Sequence, residues 1–300
     1  MEQSLRVFIT VAKTRHFSRA AEELHMTQPA VSQQIRSLEN RYHTRLLERN
    51  NKSVQLTPAG EILLREGLEI LNQYARMERL IQDLTHSASG PLSIGASYTF
   101  GEYVLPRILS SFCTRYEQID PKVTIHNTKR IGEGVVRREM DIGIVEGELS
   151  HPQLEMKPVA DDELVLVVPS NHPLAEQKEV KASELRGERW ILREPGSGTR
   201  EAADRLFRGA ELTPDTILEF GSTQVIKESV ETGLGIAVLS SWSIRKELLL
   251  GTLCSLRVQD VPMRRHFYTL TRATSFRTKA MDLFLAFLRQ ELRRRTLPSC

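Results

Sequence analysis

The stretch from residue 18 to residue 38 constrains the fold most, because it predicts two short helices joined by a tight turn. Ser18 can cap the first helix, since its hydroxyl can accept an unpaired N–H of the first turn. The apolar face of this helix is then formed by Ala20, Ala21 and Leu24. Thr27 can cap the second helix, and Pro29 is tolerated in its first turn, where a missing N–H costs little.

The second helix has two chemically different faces. The apolar positions recur every three or four residues at Val31, Ile35 and Leu38. The opposite face is polar and carries Gln28, Ser32, Gln33 and Arg36. Gln offers a paired donor and acceptor to adenine, Arg offers a fork to guanine, and a helix-turn-helix places such a helix in the DNA major groove. A solvated helix of an ordinary bundle is the alternative.

The flanking segments favour DNA binding. A preceding helix is indicated by the apolar stripe Leu5, Phe8, Val11 and Ala12, and residues 46–56 predict a hairpin around Asn50-Asn51. Residues 1–58 hold nine Lys/Arg and five Asp/Glu, whereas the whole chain has a net charge of only +3, so the positive excess is confined to this region. The expected DNA-contacting residues are Ser18, Thr27, Gln28, Pro29, Ser32, Gln33, Arg36 and, on the hairpin, Arg49 and Lys52.

In its motifs the chain resembles the LysR-type transcriptional regulators. The matching stretches are residues 17–39 (FSRAAEELHMTQPAVSQQIRSLE), 46–49 (LLER) and 56–60 (LTPAG). The resemblance implies an N-terminal winged helix-turn-helix over 1–58, a linker and dimerisation helix with a hinge over 59–90, and an effector-binding domain over 91–300. It further implies a homotetramer, a dimer of dimers, that binds and bends double-stranded promoter DNA and responds to a small-molecule co-inducer. RNA polymerase is an expected partner if the protein is an activator.

Composition excludes several other classes of protein. The chain is 40% hydrophobic, no apolar run approaches the roughly 18 residues of a transmembrane helix, and the N-terminus has no secretory pattern, so we expect a cytoplasmic protein without a membrane partner. The three cysteines are far apart, which indicates reduced thiols. A redox switch between Cys113 and Cys254 is the alternative. The eight histidines show no metal-binding spacing, so no metal and no cofactor are expected.

A long helix is predicted from residue 58 to about residue 85. Thr57-Pro58 is a cap followed by a proline at the first helical position, and no further proline follows before Thr85. An apolar seam interrupted by Gly67 runs along Leu63, Ile70, Tyr74, Met77, Ile81 and Leu84. The seam predicts dimerisation between two helices, and packing on its own domain is the alternative. The small, polar residues 86–91 then indicate a linker.

After residue 91 the pattern changes to short apolar strands separated by helices, which indicates α/β lobes with largely parallel sheets. The predicted strands are 92–96, 123–125, 141–145, 164–168, 190–192, 217–220, 235–239 and 267–270. The resemblance implies a two-lobed domain like that of periplasmic solute-binding proteins. The chain would then cross between the lobes near 159–162 and 262–266. This places 91–160 and 267–300 in lobe I and 161–266 in lobe II, while the basic residues 293–295 are expected at a solvated helix end.

Three segments at predicted helix starts are candidates for ligand binding, because N-terminal N–H groups there are unpaired. They are residues 97–101, 195–200 and 221–224, and Glu146 would border the same cleft. Ordinary helix caps are the alternative interpretation. With the resemblance added, the candidate ligand residues are Ser97, Tyr98, Thr99, Phe100, Glu146, Ser197, Gly198, Thr199, Arg200, Ser222 and Thr223.

Hydroxyls, amides and Arg200 together favour an anionic ligand, either an inorganic oxyanion or a small carboxylate. Residues 94–106 and 194–200 look most like the LysR branch that governs sulfur assimilation and sulfite handling, which implies an oxyanion or a sulfur metabolite. No nucleophile with a partner base and no phosphate-binding loop is evident, so no catalytic residue is expected. The rival class is an anion- or solute-binding module, or an enzyme, with an incidental basic N-terminal domain.

Overall fold

The computed structural model describes residues 1–50, 53–85, 88–273 and 276–294. It divides into two compact units, Met1–Thr85 and His86–Cys300. None of the described helices is both long enough and apolar enough to span a bilayer.

The first unit is a helix-turn-helix with a hairpin and a long helix. Its elements are α1 (Glu2–Thr14), α2 (Phe17–Glu23), α3 (Gln28–Tyr42), β1 (Leu47–Asn50), β2 (Ser53–Leu56) and α4 (Pro58–Thr85). The two strands pair antiparallel, as the hairpin prediction requires. The core is apolar and includes Leu5, Phe8, Val31, Ile35, Leu38 and Leu46. The inward face predicted for the second helix is therefore confirmed.

Of the two caps predicted within the helix-turn-helix, one is present. Thr27 accepts the N–H of Ala30 at 3.4 Å, and Pro29 lies in the first turn of α3. Ser18 is not a cap, because the backbone of His16 is already extended and α2 begins at Phe17. Ser18 therefore lies inside the first turn of the helix, where it is exposed.

The first half of α4 packs on the helix-turn-helix. Thr57 caps it by accepting the Gly60 N–H at 3.0 Å. A Cβ at Gly60 would lie 2.1 Å from the Leu46 carbonyl oxygen, so only glycine permits this approach. Leu63, predicted for the exposed seam, packs instead against the core of this unit. The helix therefore belongs to the N-terminal unit by its contacts.

The rest of the predicted seam faces outward. Large apolar side chains on α4 are between 45% and 57% exposed at Ile62, Ile70, Tyr74, Met77 and Ile81. Ile62 takes the place that the prediction gave to Leu63. The side chain of Leu84 lies outside the described part of the structure. An apolar stripe this exposed on one helix is typical of a surface that another helix covers.

The second unit alternates strands and helices. Its strands are β3 (Gly90–Ala96), β4 (Ile119–Ile125), β5 (Ile142–Glu146), β6 (Leu154–Pro169), β7 (Glu179–Val180), β8 (Arg189–Leu192), β9 (Thr216–Glu219), β10 (Ala237–Ser240), β11 (Leu253–Val258) and β12 (Arg264–Arg272). Its helices are α5 (Leu105–Arg115), α6 (Thr128–Val136), α7 (Gly198–Gly209), α8 (Thr223–Glu231), α9 (Arg245–Leu250) and α10 (Lys279–Arg294), with a π-helical turn at Phe100–Val104 and a 3-10 turn at Ala182–Leu185.

The sheets are mixed, and not largely parallel as predicted. Parallel pairs join β3 to β4 and β5, β8 to β9, and β7 to β11. The long strand β6 is antiparallel to β12, β10 and β11, and β12 is antiparallel to β5. The prediction was wrong here because β6 and β12 extend through the region where the chain passes between lobes. Strands β7 and β11 were not predicted.

The strand β6 changes partners where the lobes were predicted to meet. It pairs with β12 up to Glu163 and with β10 from Leu164 onward. We therefore propose the lobe division that was predicted from the sequence, with 91–160 and 267–300 in lobe I and 161–266 in lobe II. Each lobe has its own apolar core, around Phe112 and Phe284 in lobe I and around Trp190 and Leu206 in lobe II.

Two further predictions concern the cysteines and the basic residues at the end of α10. Cys113 is exposed and Cys254 is partly buried, and both are free thiols. Arg293 and Arg294 are exposed in the last turn of α10, as expected. Arg295 and Cys300 lie outside the described residues.

A buried ion cluster lies at the crossing between the lobes. The Arg265 guanidinium contacts Asp162 Oδ2 at 2.6 Å and Glu146 Oε2 at 3.0 Å. All three residues are at most 5% exposed. Asp162 Oδ1 also accepts the Ser240 hydroxyl at 2.5 Å. Arg265 and Asp162 face each other across β12 and β6, so the cluster joins the end of β5 to both crossing strands.

Replacing Arg265 by methionine should strongly destabilise this unit, because two carboxylates would stay buried without a counterion. We expect R265M to lose about 3–5 kcal/mol of unfolding free energy. The matched control is R257M, whose exposed pair with Glu163 should be worth about 0–1 kcal/mol. Urea unfolding followed by the fluorescence of Trp190 and Trp242 measures both. Equal losses in the two variants would contradict this role of Arg265.

Candidate functional site

The exposed face of α3 carries the side chains predicted to contact DNA. Gln28, Gln33 and Arg36 are exposed. Ser32 departs from the prediction, because it is only 7% exposed and its hydroxyl accepts the Gln28 amide at 3.0 Å. The face therefore presents amides and a guanidinium, the groups that pair with base edges.

The remaining predicted DNA contacts surround this face. Ser18, Thr27 and Pro29 are exposed at the starts of α2 and α3. Arg49 lies on β1, but its side chain is outside the described part, as is all of Lys52. Glu39 fixes the hairpin relative to α3, because its Oε1 accepts the N–H groups of Leu46 at 3.0 Å and Leu47 at 3.4 Å.

In the second unit, the predicted ligand residues Thr99 and Thr199 hold the protein's own Glu146. Glu146 Oε1 accepts the Thr99 N–H at 2.7 Å, and Oε2 accepts the Thr199 hydroxyl at 3.3 Å. Arg265 donates to the Thr199 hydroxyl at 3.1 Å and to the Thr99 hydroxyl at 3.4 Å. The helix start and hydroxyls that could bind an external anion are thus occupied by a carboxylate of the chain.

Gly198 brings the two lobes into direct backbone contact at this carboxylate. A Cβ at residue 198 would lie 2.3 Å from the Glu146 carbonyl oxygen, which no larger residue could accommodate without a shift. Thr128 of lobe I donates its hydroxyl to the same carbonyl at 3.0 Å. The start of α7 therefore packs tightly against the end of β5.

The two carboxylates of the Arg265 cluster are shifted in opposite directions. Burial raises the pKa of Glu146, but Arg265 and the hydrogen bonds from Thr99 outweigh it and lower the pKa below its usual value. Burial also raises the pKa of Asp162, and there Arg265 and Ser240 do not compensate fully, so this pKa stays raised.

The sequence analysis missed Arg265 and Asp162. Their signal was a run of acidic residues directly before an apolar stretch at one predicted crossing, ADDELVLVV, and a run of basic residues at the other, RRHFYTL. A charge that ends up buried in such a strand must be paired. Nothing local identified the partner, since Asp162 and Arg265 are 103 residues apart in the chain.

A second buried guanidinium, Arg193, lies at the boundary of the lobes next to Tyr98 and Thr223. Its side chain is 1% exposed and lies 4.3 Å from the ring centroid of Tyr98, which belongs to lobe I. It donates to the Thr223 hydroxyl at 3.4 Å. Its Nε and Nη2 each lie 2.8 Å from an oxygen of Glu194. Arg193 directly follows β8, and sequence reasoning overlooked it in favour of Arg200.

Glu194 in turn reaches lobe I. Its Oε1 accepts the Asn127 amide at 3.1 Å, and nearby the Lys129 N–H donates to the Gly196 carbonyl at 3.2 Å. Gly196 has φ of +87°, a conformation that glycine adopts freely. Burial raises the pKa of Glu194, but the hydrogen bonds from Arg193 lower it further, so the pKa is below its usual value.

A third cation, Lys227, links the lobes further along α8. Its Nζ donates to Glu247 Oε1 at 2.6 Å and to the Ser243 carbonyl at 3.0 Å. It also lies 4.9 Å from the centre of the Tyr103 ring in lobe I. The boundary between the lobes is therefore rich in cations, each paired with a carboxylate.

The other predicted ligand residues have different surroundings. Ser97 is 2% exposed; its hydroxyl helps to lower the Glu146 pKa, yet makes no hydrogen bond of normal geometry within the described part. Ser197 accepts the Thr199 N–H at 3.3 Å as a helix cap, and Ser222 is partly exposed without a side-chain cap bond.

Two predicted residues point away from the cleft. The Phe100 ring is fully buried and packs edge-on against Phe267 at 5.1 Å, in the core of lobe I. Arg200 pairs with Asp204 and Glu219 and donates to the Arg193 carbonyl at 3.0 Å. Arg193 therefore lies at the lobe boundary together with Arg265, and Arg200 does not. Over the described ranges, no three His, Cys, Asp or Glu side chains converge as metal ligands.

Comparison with known proteins gives the same two-part organisation. Residues 3–61 match the bacterial regulatory helix-turn-helix proteins of the lysR family, and residues 85–293 match the LysR substrate binding domain. The chain is 35% identical over 285 residues to the HTH-type transcriptional regulator CysL of Bacillus subtilis (strain 168), covering 95% of each. It is 37% identical over 284 residues to the RuBisCO operon transcriptional regulator of Acidithiobacillus ferrooxidans, covering 94% of this chain and 92% of that protein.

Solved structures agree. The regulatory domain of CcmR from Synechocystis PCC6803, in complex with 2-PG, is 29% identical, has a TM-score of 0.64, and covers 68% of this chain and 98% of that one. Full-length CbnR complexed with its target DNA, at 22% identity, has a TM-score of 0.74 over 98% of this chain and 99% of that one, which supports the fold. The family predicted from the sequence is confirmed: the chain belongs to the LysR family of DNA-binding transcriptional regulators.

Proposed function

We propose that this regulator reads promoter DNA with α3 and its hairpin, and that a small anion bound between the two lobes modulates that binding. The anion is bound and not transformed, so the protein acts as a sensor in the cytoplasm and not as an enzyme. Contact with RNA polymerase belongs to the activator version of this proposal. In this proposal residues 1–58 bind DNA, residues 59–90 form the dimer, and residues 91–300 bind the effector.

The observation that carries the effector proposal is the buried guanidinium of Arg193. It contacts Tyr98 of lobe I and Thr223 of lobe II, so an anion bound to it would lie at the boundary of the lobes. Charge-assisted hydrogen bonds to guanidinium are strong and favour carboxylates and tetrahedral oxyanions. Ser97, the neighbour of Tyr98 in the chain, has a buried hydroxyl that makes no hydrogen bond of normal geometry within the described part.

The relatives narrow the class of anion without selecting one. The CcmR regulatory domain was crystallised with 2-PG, an anionic phosphocarboxylate. Regulators named for RuBisCO are as similar to this chain as CysL is. We therefore propose an inorganic oxyanion or a small carboxylate, including phosphorylated ones, as the effector.

Arg36→Ala should weaken binding to the chain's own upstream DNA more than binding to unrelated DNA. A bidentate base contact is worth about 1–3 kcal/mol of discrimination. Arg41→Ala is the matched control, because it removes the same charge from an exposed site on the last turn of α3. Fluorescence anisotropy at fixed salt with specific and scrambled duplexes measures the ratio. If both variants lose the same factor on both duplexes, Arg36 contributes charge only.

Glutamates at Ile70 and Met77 should separate a dimer formed through α4. Both side chains are nearly half exposed in the single chain and would be buried in a helix-to-helix seam. We propose that two such dimers form the tetramer. Sedimentation of I70E/M77E should give a smaller species than the wild type. The control variant R65E/Q73E changes two exposed residues outside the seam and should keep the wild-type mass. An unchanged mass would contradict the seam.

Arg193→Gln should abolish or strongly weaken anion binding. Losing a charged hydrogen-bond partner costs about 1.5–3 kcal/mol, a factor of about 10 to 150 in affinity. Titration calorimetry of the full chain with sulfate, sulfite and 2-phosphoglycolate at constant ionic strength measures the change. Ser97→Ala gives a second, milder test, and Arg257→Gln removes an equivalent charge from an exposed pair. Binding of any of these anions with equal affinity in R193Q would refute the proposed site.

A further inference from the structure

We propose that Glu194 is an internal competitor for the effector site, and that the effector anion displaces its carboxylate from Arg193. This inference rests on the proposed function, because it concerns the same guanidinium. It adds that the site is filled by a tethered carboxylate when no effector is present. Effector affinity is then set by a competition inside the protein.

The first argument is the geometry of the pair. Arg193 donates from Nε and Nη2 to the two oxygens of Glu194, both at 2.8 Å, which is the forked arrangement by which guanidinium binds a carboxylate or phosphate. The third donor on Glu194 is the Asn127 amide of lobe I at 3.1 Å. The Glu194 carboxylate thus receives hydrogen bonds from both lobes, which is what a bridging ligand would do.

The second argument is the difference in burial within the pair. The side chain of Arg193 is 1% exposed, whereas that of Glu194 is 23% exposed. The guanidinium is also fixed by the Tyr98 ring and the Thr223 hydroxyl, which do not involve Glu194. The cation is therefore held in place by other groups, while the carboxylate has a route into solvent.

Glu146 makes the contrast clear. Its carboxylate is 2% exposed and is held by Arg265, the Thr99 N–H and the Thr199 hydroxyl. If Glu146 were released, Arg265 would keep a single carboxylate partner, and the Thr99 N–H would lose its acceptor. Of the two acidic side chains that bridge the lobes at 146 and 194, only Glu194 can be exchanged at small cost.

The chemistry of the exchange identifies the class of ligand. An anion that replaces Glu194 must offer two oxygens to the Arg193 fork, and one of these oxygens must also accept the Asn127 amide, as Glu194 Oε1 does. Carboxylates and tetrahedral oxyanions such as sulfate or a phosphate ester meet this requirement, and halides do not. A ligand without an acceptor for Asn127 would lose the link to lobe I.

Tethering explains why the competition matters quantitatively. Glu194 is the neighbour of Arg193 in the chain, so it acts at a high effective concentration. If the pair is closed in about nine of ten molecules, the apparent affinity for an external anion is about tenfold weaker than the intrinsic affinity. Removing the carboxylate should restore the intrinsic affinity.

The test is calorimetric titration of full-length wild type, E194Q and E194A with sulfate and with 2-phosphoglycolate at constant ionic strength. We expect both variants to bind at least one of these anions about tenfold more tightly than the wild type. E219Q is the matched control, because it removes the same charge from an exposed acid of lobe II that pairs with Arg200. Its affinity should stay within about twofold of wild type.

The outcomes separate this inference from the proposed function. If E194Q and E194A bind the anions with the same affinity as the wild type or more weakly, the competitor role is wrong, but the proposed anion site is not contradicted. An equal gain in E219Q would also overturn it, since a general change in charge would then explain the effect. If the wild type and both variants bind neither anion, the proposed anion site fails and the competitor role fails with it.

Discussion

The effector domain depends on one buried guanidinium and on what surrounds it. Arg265 contacts carboxylates at the end of β5 and on β6, and hydroxyls at 99 and 199. Removing charged groups from water costs several kcal/mol per ion. Such a cluster is therefore stable only when the donors and acceptors of its ions have hydrogen-bond partners. Here each carboxylate has a further donor, Thr99 or Ser240. The cluster therefore holds the end of β5 to the crossing strands β6 and β12.

This arrangement separates two roles that the residues around the cleft could otherwise share. The Thr199 hydroxyl donates to Glu146, and the hydroxyls of Thr99 and Thr199 both accept from Arg265, so they hold the buried cluster together. We propose Arg193 as the cation for an external anion, because its carboxylate partner is partly exposed. A ligand can shift the balance between lobe arrangements only if it binds one of them better. An anion in the proposed site would meet this condition if it held Arg193 and Asn127 at a different separation from the one that Glu194 sets.

Local patterns were sufficient to predict the parts of the fold whose residues are close in sequence. The periodicity of Val31, Ile35 and Leu38 identified the inward face of α3, and Thr57-Pro58 identified the start of α4. The same local logic placed the helix start at Ser18 too late, because the extended backbone of His16 is not visible in residue types. It also missed the short strand β7, which pairs over two residues only.

The site could be predicted only in part, because its decisive contacts join distant residues. Thr99, Glu146 and Thr199 were all selected from the sequence as ligand groups, but their mutual hydrogen bonds required the folded structure. Residues 193 and 200 are both arginines, and the sequence alone gives no reason to choose between them as the ligand-binding cation. Only the fold shows that Arg200 turns toward Asp204 and Glu219 while Arg193 turns toward Tyr98.

The most direct test of the whole account is a DNase I footprint of the full-length protein on the DNA upstream of its own gene. The footprint is compared without effector and with sulfate, sulfite or 2-phosphoglycolate, with ionic strength held constant by chloride. The account predicts that at least one of these anions changes the length or the hypersensitive positions of the protected region, and that chloride does not. A footprint that is the same under all conditions would contradict anion control of DNA binding.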